Sequence, residues 1–465
     1  MHSEQSLQKG QIKNQMTSLP LINPFHWGFN GTVTQYVSDD SVSIPLKDTY
    51  EKTNFKNFVS QNVPGLANGS NFKLKPYLFT GILQTVYLSA ANLSAKFPVF
   101  YGREIRQFSD NGIASVDWVM DSWESKYKLN LTTAKYDRKA FDDDEKSTHP
   151  ENWPRLHPRT RFLTDQELVD VHEVEKPLVL VLHGLAGGSH EPIIRSLTND
   201  ISRINNNKFQ VAVLNCRGCS RTKISDKKLF TALFTDDING FLVQERKRHP
   251  KRKIYAVGFS FGATQLANYL GKHSNDPIIS SAVFLCNPWD MVKSAEKIRD
   301  DWWSNILFSK SLAVFLYKMI KSNFNELEVP ENTKPAHTPT VDNPCYFAYT
   351  KSNLKLAEQA TSTIQFDDIF TAPCLGLSSA FEYYSAASSN QRIADFKIPT
   401  LLINSTDDPV TGDGAMPRKE ALANPNTILI ETDLGGHLAY LDSENNSWIT
   451  GQISQFFNKF DELAV

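Results

Sequence analysis

Ser260 stands in Gly258-Phe259-Ser260-Phe261-Gly262, a glycine-x-serine-x-glycine string. Residues 252–257 before it turn apolar and β-prone, which predicts a buried strand. Residues 263–270 after it carry apolar side chains at helical spacing and stop at Gly271. The bare string is common, but strand, string and helix together are the signature of a nucleophile elbow. Both glycines lack a Cβ, so strand and helix can close around the serine and lift its hydroxyl above a sheet. The next backbone N–H, that of Phe261, is then free to face a developing oxyanion.

A serine hydroxyl is a poor nucleophile at neutral pH and needs a base, which needs an orienting acid. In this architecture the chain order is serine, acid, histidine. Residues 400–405 read as a strand running into Thr406-Asp407-Asp408-Pro409, and 427–430 as a strand running into Thr432-Asp433-Leu434-Gly435-Gly436-His437. His437 is the expected base. Asp407 and Asp408 both lie on the right loop, and spacing does not separate them. A second oxyanion donor belongs after the strand at 177–182, where His183-Gly184-Leu185 offers the Leu185 N–H. His183 has no partner at metal-ligand spacing, and residues 185–189 lack the Lys-Ser/Thr of a phosphate-binding loop. Asp442 completes a His-x₄-Asp string with His437, and its expected role is a cap on the C-terminal segment.

These residues need elements to position them. Strand and helix patterns alternate through 177–182, 192–203, 209–214, 236–249, the elbow and 282–286, then resume at 400 and close with a helix at 448–460. That predicts an α/β fold of the α/β-hydrolase type: a mostly parallel sheet, helices on both faces and right-handed crossovers. Residues 291–392 break the alternation with helical, aromatic sequence, a cap insertion between the elbow and the remaining triad. Its Trp302, Trp303, Phe315 and Tyr384 are expected to bind an acyl chain and exclude water. The division is 1–20 disordered, 21–96 an N-terminal extension packed on the core, 97–290 and 393–465 the two parts of the core. Segments 97–105 and 112–119 predict a hairpin, while the charged stretch 136–175 reads as a surface excursion.

With 465 residues, 40% hydrophobic and 22% charged, the chain can bury a large core, and a net charge of −2 gives it no pull on nucleic acid. The basic cluster at 245–253 falls at the amino ends of the strands, away from where ligands bind, and is expected to be solvated. Five scattered cysteines favour a reducing, intracellular setting, and Cys216-Arg217-Gly218-Cys219 reads as a turn. No signal-peptide core or membrane-length apolar run occurs, so contact with a lipid droplet or organelle membrane is expected to be peripheral.

The strings His183-Gly184-Leu185-Ala186-Gly187-Gly188-Ser189-His190-Glu191-Pro192, Asn215-Cys216-Arg217-Gly218-Cys219 and 433–442 resemble the AB-hydrolase-4 family. Phe25-His26-Trp27-Gly28, residues 78–85, 101–105 and 460–463 extend the likeness, within that family, to the fungal medium-chain fatty acid ethyl ester synthase/esterases. The resemblance implies Asp408 as the acid beside Ser260 and His437. It implies acyl transfer from medium-chain acyl-CoA to ethanol and hydrolysis of the resulting fatty acyl esters, with acyl-CoA as substrate and no cofactor. Wider members often carry a histidine in the Leu-Gln-Thr motif where this chain has Ile82, so any role of that histidine does not transfer. The competing expectations are a monoacylglycerol or carboxylester lipase, and a non-catalytic lipid-binding member of the fold.

Overall fold

The computed structural model describes residues 29–47, 51–93 and 96–465. The expected disorder of 1–20 and the string Phe25-His26-Trp27-Gly28 lie outside those residues. Eleven strands form the main sheet: β1 Asn30–Val37, β2 Asn71–Lys73, β3 Tyr101–Gln107, β4 Ile113–Val119, β5 Thr160–Phe162, β6 Leu178–Leu182, β7 Gln210–Asn215, β8 Ile254–Phe259, β9 Ser281–Leu285, β10 Thr400–Ser405 and β11 Thr427–Thr432. Their order is β2-β1-β11-β10-β9-β8-β6-β7-β4-β3-β5. The six strands from β6 to β11 pair in parallel. All of β6, β8 and β9 is buried, as a strand covered on both faces requires.

Alternation along these strands splits the core in two. Val179, Val181, Val257 and Ile403 pack on one face with Phe456 and Phe457 of the closing helix Trp448–Leu463. Leu178, Leu180, Ala256 and Leu402 pack on the other face with Leu266 and Leu270 of the elbow helix Phe261–Lys272. Strands β3 and β4 form the expected hairpin, with Arg103 opposite Asp117.

Three expectations change. Within 21–96, β1 and β2 join the main sheet, β1 pairing antiparallel with β11. Its run Thr32-Val33-Thr34 is β-branched, and Val33 is its one deep anchor. The stretch 136–175 is less a surface excursion than a buttress: it supplies the helix Arg138–Thr148, β5 and the helix Asp165–Glu173. Phe141 and Phe162 are its buried anchors. The basic cluster is only partly solvated, because Glu245 and Arg252 are buried, pair at 3.2 Å and are joined by the buried Arg106.

Among the described residues, the chain between β9 and β10 forms helices and no strand. These helices, including Met291–Asp300, Lys310–Ser322, Thr363–Ile369 and Ala380–Ala387, build an apolar cluster of their own. Leu316, Ile320, Phe366, Phe370 and Tyr383 belong to it, and so does Phe261 at the start of the elbow helix. The helical insertion is thereby seated directly on the elbow.

Candidate active site

The turn between β8 and the elbow helix places Ser260 at φ 51°, ψ −117°, a strained conformation that points its side chain away from the sheet. Glycine is needed on both sides. A Cβ on Gly258 would sit 2.5 Å from the Ala263 Cα, and one on Gly262 would overlap the His183 carbonyl. Ser260 Oγ lies 2.9 Å from His437 Nε2. The other ring nitrogen, Nδ1, lies 2.8 Å from Asp408 Oδ2. Three side chains from the loops after β8, β10 and β11 thus form one hydrogen-bonded chain.

The two aspartates part company here. Asp408 is fully buried, and its Oδ1 accepts the Val410 and Thr411 N–H groups at 2.7 and 3.0 Å. Burial opposes its ionisation, but the charge and hydrogen bond of His437 and those two amides outweigh it and hold the carboxyl below its ordinary range. Asp407 instead turns Oδ1 to the Gly436 N–H at 2.9 Å and to the Ser405 hydroxyl at 2.6 Å. It anchors the backbone just before His437. Asp442 accepts from Glu444 and Asn446 within its own turn and makes no hydrogen bond to His437 among the described residues. It closes the turn leading to the final helix.

Two residues given no role in the sequence reading complete the support. Thr85, on the helix Gly81–Ala90, accepts the His437 N–H at 2.8 Å. Gln84, buried on the same helix, accepts the Leu441 N–H at 2.9 Å. Their signal was two adjacent polar residues inside Gly81-Ile82-Leu83-Gln84-Thr85-Val86-Tyr87-Leu88, an otherwise apolar helix.

The loop after β6 passes beside the serine: a Cβ on Gly184 would lie 3.8 Å from Ser260 Cβ. Leu185 follows, lining a cavity that Ser260 and His437 also line. Phe261 is the first residue of its helix, so its N–H has no intrahelical acceptor and is open to a ligand. A buried network fixes the loop from behind. Ser189 donates to Asp117 at 2.5 Å and its N–H reaches Asn215 at 3.0 Å, while Arg103 clamps Asp117 bidentately at 2.7 Å. His183 donates from Nδ1 to the Gly184 carbonyl and accepts the Cys216 N–H at Nε2, so both ring nitrogens are used within the protein. Burial pushes its pKa down to about 4.

Among the described residues, the acidic, His and Cys side chains that approach one another closely enough to share an ion are Cys286, Asp408 and His437. Both His437 nitrogens are already engaged by Asp408 and Ser260, and burial pushes the Cys286 thiol well above its usual range, so this cluster has no free ligand set.

Ser260 and His437 open into a cavity of about 310 Å³ roofed by the helical insertion. Phe315, Phe366 and Tyr384 line it with Leu316 and Met319. Trp302 and Trp303 lie elsewhere: they meet edge to face at 4.5 Å, and Trp302 is 63% exposed. On the short helix Trp302–Ser304 the first ring faces solvent and the second is half-buried, and neither lines the cavity, so of the four expected residues Phe315 and Tyr384 line it.

A family model described as the alpha/beta hydrolase fold matches residues 177–444. The chain is 54% identical over 453 residues, 97% of its length and all of the relative's, to the medium-chain fatty acid ethyl ester synthase/esterase 2 of Saccharomyces cerevisiae. It is 29% identical to the monoacylglycerol lipase of the same yeast, over 93% of this chain and 91% of the lipase. Among solved structures, the Pyrococcus furiosus esterase Pf2001 aligns at a TM-score of 0.43 and 13% identity, covering 78% of this chain and 92% of that one.

Proposed function

This chain belongs to the alpha/beta hydrolase family, and on that premise we propose that it is a serine acyltransferase and esterase that forms and hydrolyses medium-chain fatty acid ethyl esters. The observation that carries the mechanism is His437 bridging Ser260 and Asp408 at 2.9 and 2.8 Å on the floor of an apolar cavity. His437 Nε2 takes the Ser260 proton as Oγ attacks the acyl carbonyl. The Leu185 and Phe261 amides receive the charge on the tetrahedral oxygen. Collapse breaks the bond to the leaving thiol or alcohol, which departs with the proton from His437. Ethanol or water then attacks the acyl-Ser260 ester and gives its proton to His437; the acyl–Oγ bond breaks as His437 returns that proton to Ser260 Oγ, releasing ethyl ester or acid. Asp408 holds the Nδ1–H tautomer and stabilises the imidazolium in each half-reaction.

Medium-chain acyl-CoA is the acyl donor in this reading, and no cofactor takes part. Contact with a lipid-droplet or organelle surface inside the cell is peripheral; among the described residues no helix is long and apolar enough to cross a membrane. The 29% identity to a monoacylglycerol lipase supports a second, weaker reading with the same triad and a glycerol leaving group. A non-catalytic lipid-binding role is disfavoured by the assembled triad, and a fluorophosphonate that failed to label Ser260 would restore it.

The test is product analysis with octanoyl-CoA and ethanol, run beside ethyl octanoate and monooctanoylglycerol as substrates. Ethyl octanoate should form, and Ser260→Ala should lose synthesis and hydrolysis together, by about 10³-fold or more, while remaining folded. A folded Ser260→Ala protein that kept either activity would refute the shared acyl-serine intermediate. A much higher kcat/KM on monooctanoylglycerol than on ethyl octanoate would favour the lipase.

A further inference from the structure

The turn carrying Leu185 is held from behind by Ser189, Asn215 and Asp117, but on its cavity side it meets a carboxyl group. Glu191 is the N-cap residue of the helix Pro192–Arg203, yet its side chain makes no capping bond to that helix. It folds back over the turn instead. A Cβ on Gly187 would overlap all three atoms of the Glu191 carboxyl group, and the Gly184 and Gly188 amides lie near enough to favour its charged form. The Glu191 carboxyl thereby packs on the stretch that contains Leu185 and faces the amides at both its ends. One of those ends, Gly184, is the residue packed against Ser260. Glu191 also lines the same cavity as Ser260, Leu185 and His437.

This arrangement opposes folding. Burial disfavours the carboxylate more than the two amides favour it, so its pKa is pushed up to about 7. Among the described residues no cation pairs with it. The titratable groups around it are the Cys219 thiol on the loop after β7, which feels its charge, and His437 across the cavity. A neutral side chain there would be less destabilising. A carboxyl that costs stability and stands beside the reacting serine points to a role in the reaction.

We propose that Glu191 is a positioning residue for acyl transfer, clamping the Gly184–Gly188 turn so that the Leu185 amide is aimed at the oxyanion of the Ser260 adduct. The inference rests on the reading of Ser260 as nucleophile. It places the benefit in the transition state, where the oxyanion exists, and leaves substrate binding almost untouched.

The experiment compares Glu191→Gln and Glu191→Ala with the full-length parent, measuring kcat and KM for ethyl octanoate and thermal unfolding at pH 6 and pH 8. Gln keeps one acceptor oxygen and Ala none, so kcat should fall in both, less in Gln, with Ala losing about tenfold or more, up to the ~10²–10³-fold of losing one oxyanion donor outright. KM should stay within about twofold, since uniform binding is not what is lost. The stability sign is set by the raised pKa: the neutral carboxyl's contribution is whole below the ordinary glutamate value and is lost as pH rises through about 7. Glu191→Gln should therefore be at least as stable as the parent at pH 8 while turning over more slowly. A merely structural contact would lose stability and turnover together, and that outcome overturns the proposal. So does a kcat near the parent's in both variants while Ser260→Ala is inactive. Activity surviving in Ser260→Ala would remove the underlying reading, and this inference with it.

Discussion

Asp407 and Asp408 are chemically identical neighbours, both buried, yet the loop turns their oxygens to different tasks. Asp408 reaches the His437 ring, whereas Asp407 reaches the backbone one residue earlier, at Gly436. Their variants should therefore fail differently. Asp408→Asn presents an amide to Nδ1 and permits the wrong tautomer, so kcat should drop on the order of 10³–10⁴-fold with the fold intact. Asp407→Asn keeps an acceptor for Gly436 and should cost far less turnover, with its effect read mainly in denaturant unfolding as about 1 kcal/mol. The opposite ranking in kcat would give Asp407 the orienting role. Spacing could not separate the two because both lie within one turn of the same strand end; only the direction each side chain takes distinguishes them.

The elements differ in how plainly they announced themselves. The elbow, β6 and the strands leading to Asp408 and His437 were legible because each is a local pattern: an apolar run, a turn string, a helical period. The helix Gly81–Ala90 was not, because its task is tertiary. It lies some 350 residues upstream of the histidine loop, and nothing local says that Thr85 will accept the His437 N–H. Strand β1 was missed for a related reason, since it buries one side chain deeply and pairs with a strand from the far end of the chain. Thr85→Val tests that helix. Val keeps the β-branched shape but removes the acceptor, leaving a partly buried N–H unpaired at a cost of about 1–3 kcal/mol. Turnover should fall with the loosened His437 backbone while KM changes little. Unchanged unfolding and unchanged kcat would show that the helix is packing alone.

At the scale of the molecule, the sheet supplies the triad and the helical insertion supplies the roof, and the balance between synthesis and hydrolysis belongs to their junction. Water vastly outnumbers ethanol, so net ester formation needs an acyl-enzyme shielded from water. The helix Lys310–Ser322 is the element that divides cavity from solvent: Leu316 and Met319 face inward, while Phe315 lines the cavity yet is 52% exposed. Phe315 therefore sits at the rim, where removing a ring opens a path without emptying the cap's core. In Phe315→Ala the ratio of octanoate to ethyl octanoate at fixed ethanol should rise several-fold. Total octanoyl-CoA consumption should stay near the parent's, because the nucleophile, base and oxyanion donors are untouched. Trp302→Ala serves as the contrast, since that ring faces solvent outside the cavity and its loss should leave the ratio unchanged. Raising ethanol with the parent enzyme should convert octanoate into ethyl octanoate in a compensating way if acylation limits the rate. A ratio that ignored Phe315 but followed Trp302 would move the water gate to the exposed tryptophan face. A ratio indifferent to both would place the partition in the chemistry at Ser260 itself and not in the roof above it.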